Sequence, residues 1–317
     1  MRPNRLGQLV LDSVTATVAR RRGPARALRR VALETRRALV AVSDPIVGYD
    51  LLGHDLRLRL SHELPLYRSE FPGYSDNLRR VAAAVYAKRP GTVAVDVGAN
   101  IGDSVAFLRT AGYERIVAVE PAPEFASLLR ENTRGLYGVV IEEVMLAAAV
   151  GELNGELVTR EGTGRLVRGS ATVPTTTVDI IVGAHVDLGA VSLIKTDTDG
   201  LDLEIIRGAE STLASHPAVF FEHDPKRFSL DATTCADFFA WLVEQGYGPT
   251  LVYDRFGTLV AATNLAESQT VEELDHYART TDTPYYYFDI AVFGRDDADV
   301  AEAIRARELA GAHNGAT

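Results

Sequence analysis

Residues 93–103 constrain the fold of this chain more than any other part of its sequence. A run of small and β-branched residues up to Val97 predicts a buried strand, and a helical pattern begins at Asp103. Gly98 and Gly102 predict a tight turn between the two, in backbone conformations that other residues avoid. Strand and helix then alternate with short connections, which predicts an α/β fold with a doubly wound sheet. Most of its strands should be parallel, and the last should be antiparallel.

The same patterns predict where the other strands and helices lie. The predicted strands are residues 92–97, 115–119, part of 139–150, 191–196, 218–222, 250–253 and 286–293. The predicted helices are residues 76–88, 103–110, 123–132, 201–213 and 234–245. Residues 151–175, which are rich in glycine, should form a hairpin, residues 256–284 a polar excursion and residues 55–60 a short β-like unit.

Charge and helix patterning divide the chain into three segments. A basic helical N-terminal extension covers residues 1–43, the main domain covers residues 44–295, and a C-terminal helix with a flexible tail covers residues 296–317. The net charge is −10, but the first 37 residues hold ten arginines against two acids. The extension therefore carries about +8 and the rest of the chain about −18.

Apolar residues are interspersed with these arginines, and two interpretations follow. A basic amphipathic pair of helices would suit peripheral contact of residues 1–40 with the inner membrane surface, or a polyanionic partner. Alternatively, the two helices pack on their own domain and the arginines are solvated. The acidic main body argues against a nucleic-acid partner.

The rest of the composition is typical of a globular cytoplasmic protein, with 46% hydrophobic and 24% charged residues. We expect cytoplasmic residence because no apolar segment follows the early arginines as it would in a secretory signal. No apolar run reaches the ~18 residues of a membrane span. The single cysteine, Cys235, allows no disulfide within the chain and lacks the spacing of a metal ligand.

The turn after residue 97 has features of a ligand site. Its spacing is Gly-x-x-x-Gly, which differs from the Gly-x-Gly-x-x-Gly pattern that holds a pyrophosphate. Two acids, Asp96 and Asp103, flank this turn, and Asp96 would repel a diphosphate. Asp96 would suit the cationic methionine end of S-adenosylmethionine, either directly or through water.

An acid at the tip of the next strand supports a nucleoside ligand. Glu120 follows Gly98 by 22 residues and is placed to accept hydrogen bonds from both ribose hydroxyls. Taken alone, Glu120 also fits a carboxylate at a helix N-terminus, because Pro121 and Pro123 follow it. A nicotinamide cofactor would use the same ribose acid, but it gives no reason for Asp96 and Asp103.

These motifs resemble the FkbM-type methyltransferase family. The matching segments are residues 96–102 (Asp-Val-Gly-Ala-Asn-Ile-Gly), Glu120-Pro121, Thr177-Val178-Asp179, residues 195–202 and Glu222. The resemblance covers about residues 50–295 and leaves out the basic extension. Asp199 and Asp202 stand where many members have glutamates, which would mark a subgroup with a different acceptor.

The resemblance implies a class I methyltransferase (Rossmann-like) fold and O-methyl transfer from S-adenosylmethionine. The methylated hydroxyl often belongs to a sugar, glycolipid, polysaccharide or polyketide. The residues expected to bind the cofactor are Asp96, Gly98, Ala99, Asn100, Gly102, Asp103, Glu120 and Pro121.

The acceptor should lie at two later strand ends. Lys195, Asp197 and Asp199 close one strand and share one side of it while the chain stays extended. The next strand ends in Phe-Phe-Glu-His-Asp at residues 220–224, and carboxyl ends of neighbouring parallel strands form a ligand crevice. The candidate catalytic residues are Lys195, Asp197, Glu222 and His223.

Asp197 has two possible chemical roles. An alcohol is nearly as weak an acid as water, at about 15.7, so a carboxylate near about 4 cannot form a free alkoxide. It would accept the proton as the methyl group moves, or hold a divalent metal that lowers the hydroxyl pKa. A likeness to the macrocin O-methyltransferases, which use metal-bound acids at corresponding strand ends, implies Mg²⁺ at Asp197, Glu222 and Asp224.

Each of these residues also has a structural alternative. Asp197 and Asp199 would then cap the following helix. His223 would be a buried hydrogen-bonding group, and Lys195 would only neutralise its acidic neighbours.

The leading hypothesis is therefore an S-adenosylmethionine-dependent O-methyltransferase with a small-molecule or glycan acceptor. A nicotinamide-dependent sugar oxidoreductase is the second hypothesis. A non-catalytic cofactor-binding module is the third, and it would need no acids at Asp197 and Glu222. The sequence predicts no oligomeric state.

Overall fold

The computed structural model describes residues 3–18, 25–160, 162–226, 235–266, 269–282 and 287–314. Parts of the predicted elements lie outside these ranges, namely residues 1–2, 19–24, 161, 234, 267–268, 283–284, 286 and 315–317. The strands are β1 (Ile46–Leu51), β2 (His54–Arg59), β3 (Val93–Val97), β4 (Arg115–Val119), β5 (Val139–Glu142), β6 (Met145–Leu146), β7 (Gly151–Arg160), β8 (Thr163–Thr176), β9 (Val191–Thr196), β10 (Ala218–His223), β11 (Tyr247–Asp254), β12 (Leu259–Asn264) and β13 (Phe288–Gly294). The helices are α1 (Arg5–Val18), α2 (Ala25–Val42), α3 (Leu64–Glu70), α4 (Asp76–Lys88), α5 (Asp103–Thr110), α6 (Pro123–Asn132), α7 (Val178–Ala184), α8 (Asp202–Arg207), α9 (Glu210–Leu213), α10 (Cys235–Glu244), α11 (Thr270–Thr280) and α12 (Ala298–Asn314).

An eight-stranded sheet forms the central layer, in the order β12-β11-β13-β10-β9-β3-β4-β5. Neighbouring strands from β10 to β5 are parallel, and β13 is antiparallel to both of its neighbours. The parallel strands and the antiparallel β13 agree with the predicted α/β sheet, whereas β12, which pairs antiparallel with β11, is a second reversed strand that was not predicted. A hairpin of β1 and β2 and a three-stranded sheet of β6, β8 and β7 complete the strands.

The order of the strands reverses between β3 and β9. β4 and β5 follow β3 on one side, whereas β9 and β10 lie on the other. At such a reversal the loops after the strands diverge, and a crevice opens at the carboxyl ends. The sheet topology therefore places a ligand site where β3, β4, β9 and β10 end.

Side chains of β3 face two separate cores. Val95 and Val97 pack into one core with Phe221, whereas Ala94 packs into the other with Phe107. A strand that is covered on both faces needs apolar residues at nearly every position, which explains its continuous apolar sequence. Asp96 is the exception in this strand, and it is fully buried.

The N-terminal extension packs on the domain. α1 contacts α2, α3 and β1, and its residues Val10, Leu11 and Val14 are buried. They share a core cluster with Leu58 of β2 and Phe125 of α6. Among the described residues, no helix is both long enough and apolar enough to span a membrane.

Several predicted elements differ from those observed. The predicted helix 201–213 is divided into α8 and α9 at Gly208, where a Cβ would lie 2.3 Å from the carbonyl oxygen of Ala147. The predicted strand within 139–150 is divided into β5 and β6, and β1 was not predicted. The predicted polar excursion 256–284 contains β12 and α11. β12 lies at the sheet edge with mostly half-buried residues, so its sequence lacks the apolar alternation of a covered strand.

Candidate functional site

A cavity of about 670 Å³ opens at the carboxyl ends of the parallel strands. Its wall includes the turn after β3, the tip of β4, the turn after β9 and the end of β10. Cavities of several hundred Å³ are the usual size of small-molecule sites. The cavity has two ends, which we call the cofactor end (Asn100, Asp103, Glu120) and the acceptor end (Asp197, Glu222, Asp289).

Glu120 is the central group of the cofactor end. One carboxylate oxygen accepts the backbone N–H of Asn100 at 2.9 Å, and the other accepts that of Ala122 at 2.8 Å. Burial raises the pKa of Glu120 to about 7, although these two hydrogen bonds oppose the rise. Each oxygen keeps a further lone pair, so the carboxylate can still accept two hydroxyl groups from the cavity. Pro121 lines the same wall.

The turn between β3 and α5 places two more of the predicted residues in the cavity. Asn100 has a positive φ of 49°, and its side-chain amide donates to the carbonyl oxygen of Gly162 at 2.6 Å. Asp103 lines the cavity at the start of α5, and burial raises its pKa to about 6. Ala99 and Gly102 shape the turn behind the wall, where a Cβ on Gly102 would meet Leu129 of α6 at 3.0 Å.

Asp96 lies behind the cavity wall and is held by two neighbours. Its carboxylate accepts the Ser104 hydroxyl at 2.6 Å and lies 3.2 Å from the Lys195 ammonium nitrogen. Lys195 also donates to the carbonyl oxygen of Gly98 at 3.0 Å and lies 3.9 Å from the Asp197 carboxylate. Burial would lower the pKa of Lys195, but these carboxylates hold it above its ordinary value. Asp96 therefore fixes the ammonium group that stands between the two ends.

Gly98 is required by a close approach of two backbones. Its φ is 73°, and an added Cβ would lie 2.0 Å from the carbonyl oxygen of Asp197. The backbone N–H of Asp197 donates to the carbonyl oxygen of Val97 at 3.1 Å. The turn after β9 therefore fills the space that a side chain at position 98 would need, while Gly98 itself still lines the cavity.

Three carboxylates meet at the acceptor end. Asp197 and Glu222 were predicted from the sequence, and Asp289 was not. Glu222 and Asp289 are direct partners across β10 and β13, so their side chains share one face of the sheet. Among the described residues, the buried Oε1 of Glu222 has no hydrogen-bond partner. Asp289 accepts the amide of Asn77 at 2.7 Å.

This crowding of carboxylates changes their protonation. Burial raises the pKa of Glu222 well above its usual range, and the neighbouring carboxylates of Asp197 and Asp202 add to the rise. Burial also raises the pKa of Asp289 to about 7. Two like charges on adjacent strands repel each other, so the pair retains a proton near neutral pH.

Aromatic side chains form a further part of the wall at the acceptor end. Tyr67 and Tyr74 stack with ring centroids 5.1 Å apart, and Tyr287 also faces the cavity. The Arg255 guanidinium lies 5.9 Å from the ring centroids of both Tyr67 and Tyr287. Burial raises the pKa of Tyr74 and Tyr287, so their hydroxyl groups stay protonated. The acceptor end thus combines aromatic faces with carboxylates.

Asp202 stabilises the turn after β9 through its side chain. Asp202 accepts the backbone N–H of Thr198 at 3.2 Å and its hydroxyl at 3.0 Å. Among the described residues, no side chain caps the N-terminus of α8. Asp197 and Asp199 instead line the cavity, which differs from the helix-capping alternative.

His223 and Asp224 lie outside the cavity wall. The His223 ring is fully buried, and its Nε2 lies 3.0 Å from Asp275 of α11. Asp224 is also buried and accepts the backbone N–H of Lys226 at 3.1 Å. The contacts of His223 match its structural alternative.

The predicted magnesium ligands do not come together in one place. Asp197 and Glu222 face the cavity, whereas Asp224 does not. The ligand atoms of His223, Cys235 and Asp275 lie within 4.8 Å of one another. However, the positively charged guanidinium of Arg279 already donates to Asp275 at 2.7 Å and to the Cys235 sulfur at 3.0 Å, so it takes the place that a metal ion would need. We therefore assign no step to a metal.

Comparison with protein families identifies the domain that contains this cavity. A family model described as the methyltransferase FkbM domain matches residues 96–249. This match covers just under half of the chain and identifies these residues as an FkbM-type methyltransferase domain. This FkbM domain includes Asp96, Glu120, Asp197 and Glu222, so it holds the cofactor end and most of the acceptor end. The chain carries an S-adenosylmethionine-dependent methyltransferase domain, as the motifs predicted.

Solved structures with partial similarity are also methyltransferases by their descriptions. TYW2 of M. jannaschii in complex with AdoMet has 12% identity and a TM-score of 0.41, over 79% of this chain and 86% of that one. Precorrin-6y C5,15-methyltransferase from Geobacter metallireducens has 13% identity and a TM-score of 0.35, over 68% and 87%. The search of curated proteins finds no match. The family assignment rests on the FkbM domain alone.

Asp289 was missed because nothing near it in the sequence marks a site. The one available signal is a single acid inside an otherwise apolar strand, Phe288–Gly294. The aromatic wall gave no signal, since Tyr67, Tyr74 and Tyr287 are dispersed and resemble core residues.

Proposed function

We propose that this chain transfers a methyl group from S-adenosylmethionine to a hydroxyl group of a sugar, glycolipid, polysaccharide or glycosylated natural product. The observation that carries the proposal is the acceptor end, where carboxylates and tyrosine rings line the same cavity. A sugar ring presents hydroxyl groups that donate to carboxylates and C–H faces that pack on aromatic rings. An apolar acceptor would leave the buried Glu222 oxygen without a partner.

The cofactor end fits the nucleoside part of S-adenosylmethionine. Glu120 presents free lone pairs to the cavity at the tip of β4, where ribose hydroxyls can donate to them. Asp103 supplies negative charge at the start of α5, which suits a cationic ligand. The bound cofactor supplies an electrophilic methyl group. The protein residues then have to hold the acceptor hydroxyl in line and remove its proton.

Asp197 is our candidate for the proton acceptor. Its side chain is 54% exposed at the cavity, and its carboxylate lies 3.9 Å from the Lys195 ammonium nitrogen. As the new oxygen–carbon bond forms and the sulfur–carbon bond breaks, the hydroxyl proton passes to the Asp197 carboxylate. The protonated pair of Glu222 and Asp289 donates a hydrogen bond to another oxygen of the acceptor.

The two other hypotheses are less well supported. The cofactor turn lacks the glycine pattern of a pyrophosphate site, which disfavours a nicotinamide-dependent oxidoreductase. A non-catalytic module would have no use for an unpaired buried carboxylate oxygen at the acceptor end.

A transfer assay tests the proposal. The purified chain is incubated with methyl-labelled S-adenosylmethionine and a panel of glycosides, simple alcohols and amines, and binding of NAD is measured in parallel. We expect label on glycoside hydroxyls and no binding of NAD. As a control, Asp187→Asn removes an exposed acid that lies away from the cavity, and this variant should keep full activity. Label on amines alone, or binding of NAD in place of S-adenosylmethionine, would overturn the proposal.

A further inference from the structure

The arginines of the N-terminal helices are of two kinds. Arg36 is 8% exposed and donates to the carbonyl oxygens of Leu60 and Ser61 at 2.9 and 2.7 Å. Arg36 therefore joins α2 to the segment after β2. Arg5, Arg26 and Arg30, by contrast, are exposed, and they form no ion pair among the described residues. Their charge is available to an external partner.

The same helices also expose large apolar side chains. Leu6 and Leu9 of α1 are 59% and 68% exposed, and Leu28 and Val31 of α2 are 61% and 64% exposed. Each pair is spaced three residues apart, so its members lie on one side of their helix. The buried side of α1 is different, and it carries Val10 and Val14. α1 and α2 thus each have one apolar side inside the core and another in solvent.

We propose that this surface docks on a membrane that contains anionic lipids. The exposed surface of α1 and α2, which we call the basic apolar face, includes Arg5, Leu6, Leu9, Arg26, Leu28, Arg30 and Val31. The arginines attract anionic headgroups, and the leucine and valine side chains enter the boundary between headgroups and acyl chains. The extension carries about +8 and the rest of the chain about −18, so an anionic surface repels other orientations.

The apolar component selects a membrane over other partners. A purely ionic partner, such as a nucleic acid, would contact the arginines and gain nothing from exposed leucines. The exposed leucines and valine would lose contact with water on entering the apolar phase of a membrane.

α2 is also connected to the wall of the cavity. Arg36 of α2 donates to Leu60 and Ser61, and the next residues, His62 and Leu64, line the cavity. The helices that carry the basic apolar face are therefore joined to one wall of the site. The docking itself does not depend on the proposed transfer reaction.

Vesicle sedimentation of the full chain tests the proposal. The protein is mixed with vesicles of phosphatidylcholine alone, or of phosphatidylcholine with phosphatidylserine. One double variant is Arg26→Glu with Arg30→Glu, and another is Leu28→Ser with Val31→Ser. A matched control for both is Arg305→Glu with Leu309→Ser, on the exposed surface of α12. Circular dichroism and binding of S-adenosylmethionine check that every variant is folded.

We expect the wild type to sediment with the anionic vesicles and not with the neutral ones. Each N-terminal double variant should bind about tenfold more weakly or worse, and the α12 control should bind like the wild type. If the arginine variant lost vesicle binding while the Leu28/Val31 variant bound fully, the membrane proposal would be overturned and a purely ionic partner indicated. Self-association through this face without vesicle binding would also overturn it, as would equal losses in the control.

Discussion

The two ends of the cavity differ in how their polar groups are satisfied. At the cofactor end, both oxygens of Glu120 accept backbone N–H groups from residues close in sequence, with Asn100 only 20 positions away. At the acceptor end, a buried oxygen of Glu222 has no partner among the described residues, and Asp289 bonds Asn77 across 212 positions. The protein itself holds both oxygens of Glu120 in place, whereas the unpartnered oxygen of Glu222 leaves hydrogen-bonding capacity for a ligand.

This difference separates binding from chemistry. A carboxylate held by two backbone donors is fixed in place before the ligand arrives, which suits a cofactor common to a whole family. Carboxylates that share a proton are poised for a change of protonation when an acceptor binds. Variants at the two ends should therefore affect different measured quantities.

The largest effect is expected at Asp197. Asp197→Asn keeps the size of the side chain but cannot accept a proton, so turnover should fall about 10²–10⁴-fold. Affinity for S-adenosylmethionine should stay near normal, because Asp197 lies at the acceptor end. Single-turnover transfer and calorimetry measure these two quantities separately.

The control for this variant is Asp187→Asn, which removes an exposed acid outside the cavity. Wild-type activity should also survive a chelator, since the three predicted magnesium ligands do not converge. Normal turnover of Asp197→Asn would refute its role as the base. Loss of activity with chelator and recovery with magnesium would instead restore the metal hypothesis.

A smaller effect is expected at the cofactor end. Glu120→Ala should weaken binding of S-adenosylmethionine by roughly 1.5–3 kcal/mol, because ribose hydroxyls lose a charged acceptor. The pKa of Glu120 is raised to about 7, so wild-type affinity should also decrease as the pH falls through that value. Calorimetry at several pH values tests both statements.

The matched control is Glu124→Ala, which removes an exposed acid at the start of the adjacent α6. Its affinity should equal that of the wild type and should keep the same dependence on pH. The ribose assignment would be wrong if Glu120→Ala bound as tightly as this control.

The smallest effect concerns stability at the acceptor end. The pKa of Asp289 is raised to about 7, so the folded protein holds a proton that the unfolded chain releases near about pH 4. This group stabilises the fold at low pH, and its contribution is lost as the pH rises through the folded value. The free energy of unfolding of the wild type should therefore decrease between about pH 6 and pH 8. In Asp289→Asn, which lacks this titrating group, the decrease should be smaller by roughly 1 kcal/mol.

Denaturant unfolding of both proteins at these two pH values measures this difference. His62, whose pKa burial lowers to about 4, is present in both proteins, so its effect cancels in the comparison. Asp187→Asn should retain the full pH dependence of the wild type. Parallel curves for Asp289→Asn and the wild type would show that Asp289 does not hold the extra proton.

The sequence predicted the cofactor end far better than the acceptor end. The strand, turn and helix of residues 93–110 were placed correctly, because local periodicity and glycine spacing determine them. Asp289 was beyond such reasoning, since its partner Asn77 is brought to it only by the packing of α4 against the sheet. His223 lies next to Glu222 in sequence but outside the cavity, because neighbouring residues of a strand face opposite sides.

The contact between Gly98 and Asp197 has a consequence for attempts to redesign the enzyme. The carbonyl oxygen of Asp197 occupies the space that any side chain at position 98 would need. Every substitution at this position would push the turn after β9, and with it the carboxylate of Asp197, away from the cofactor. A mutant library aimed at new acceptors should therefore keep glycine here and vary the aromatic wall, where side chains face open volume.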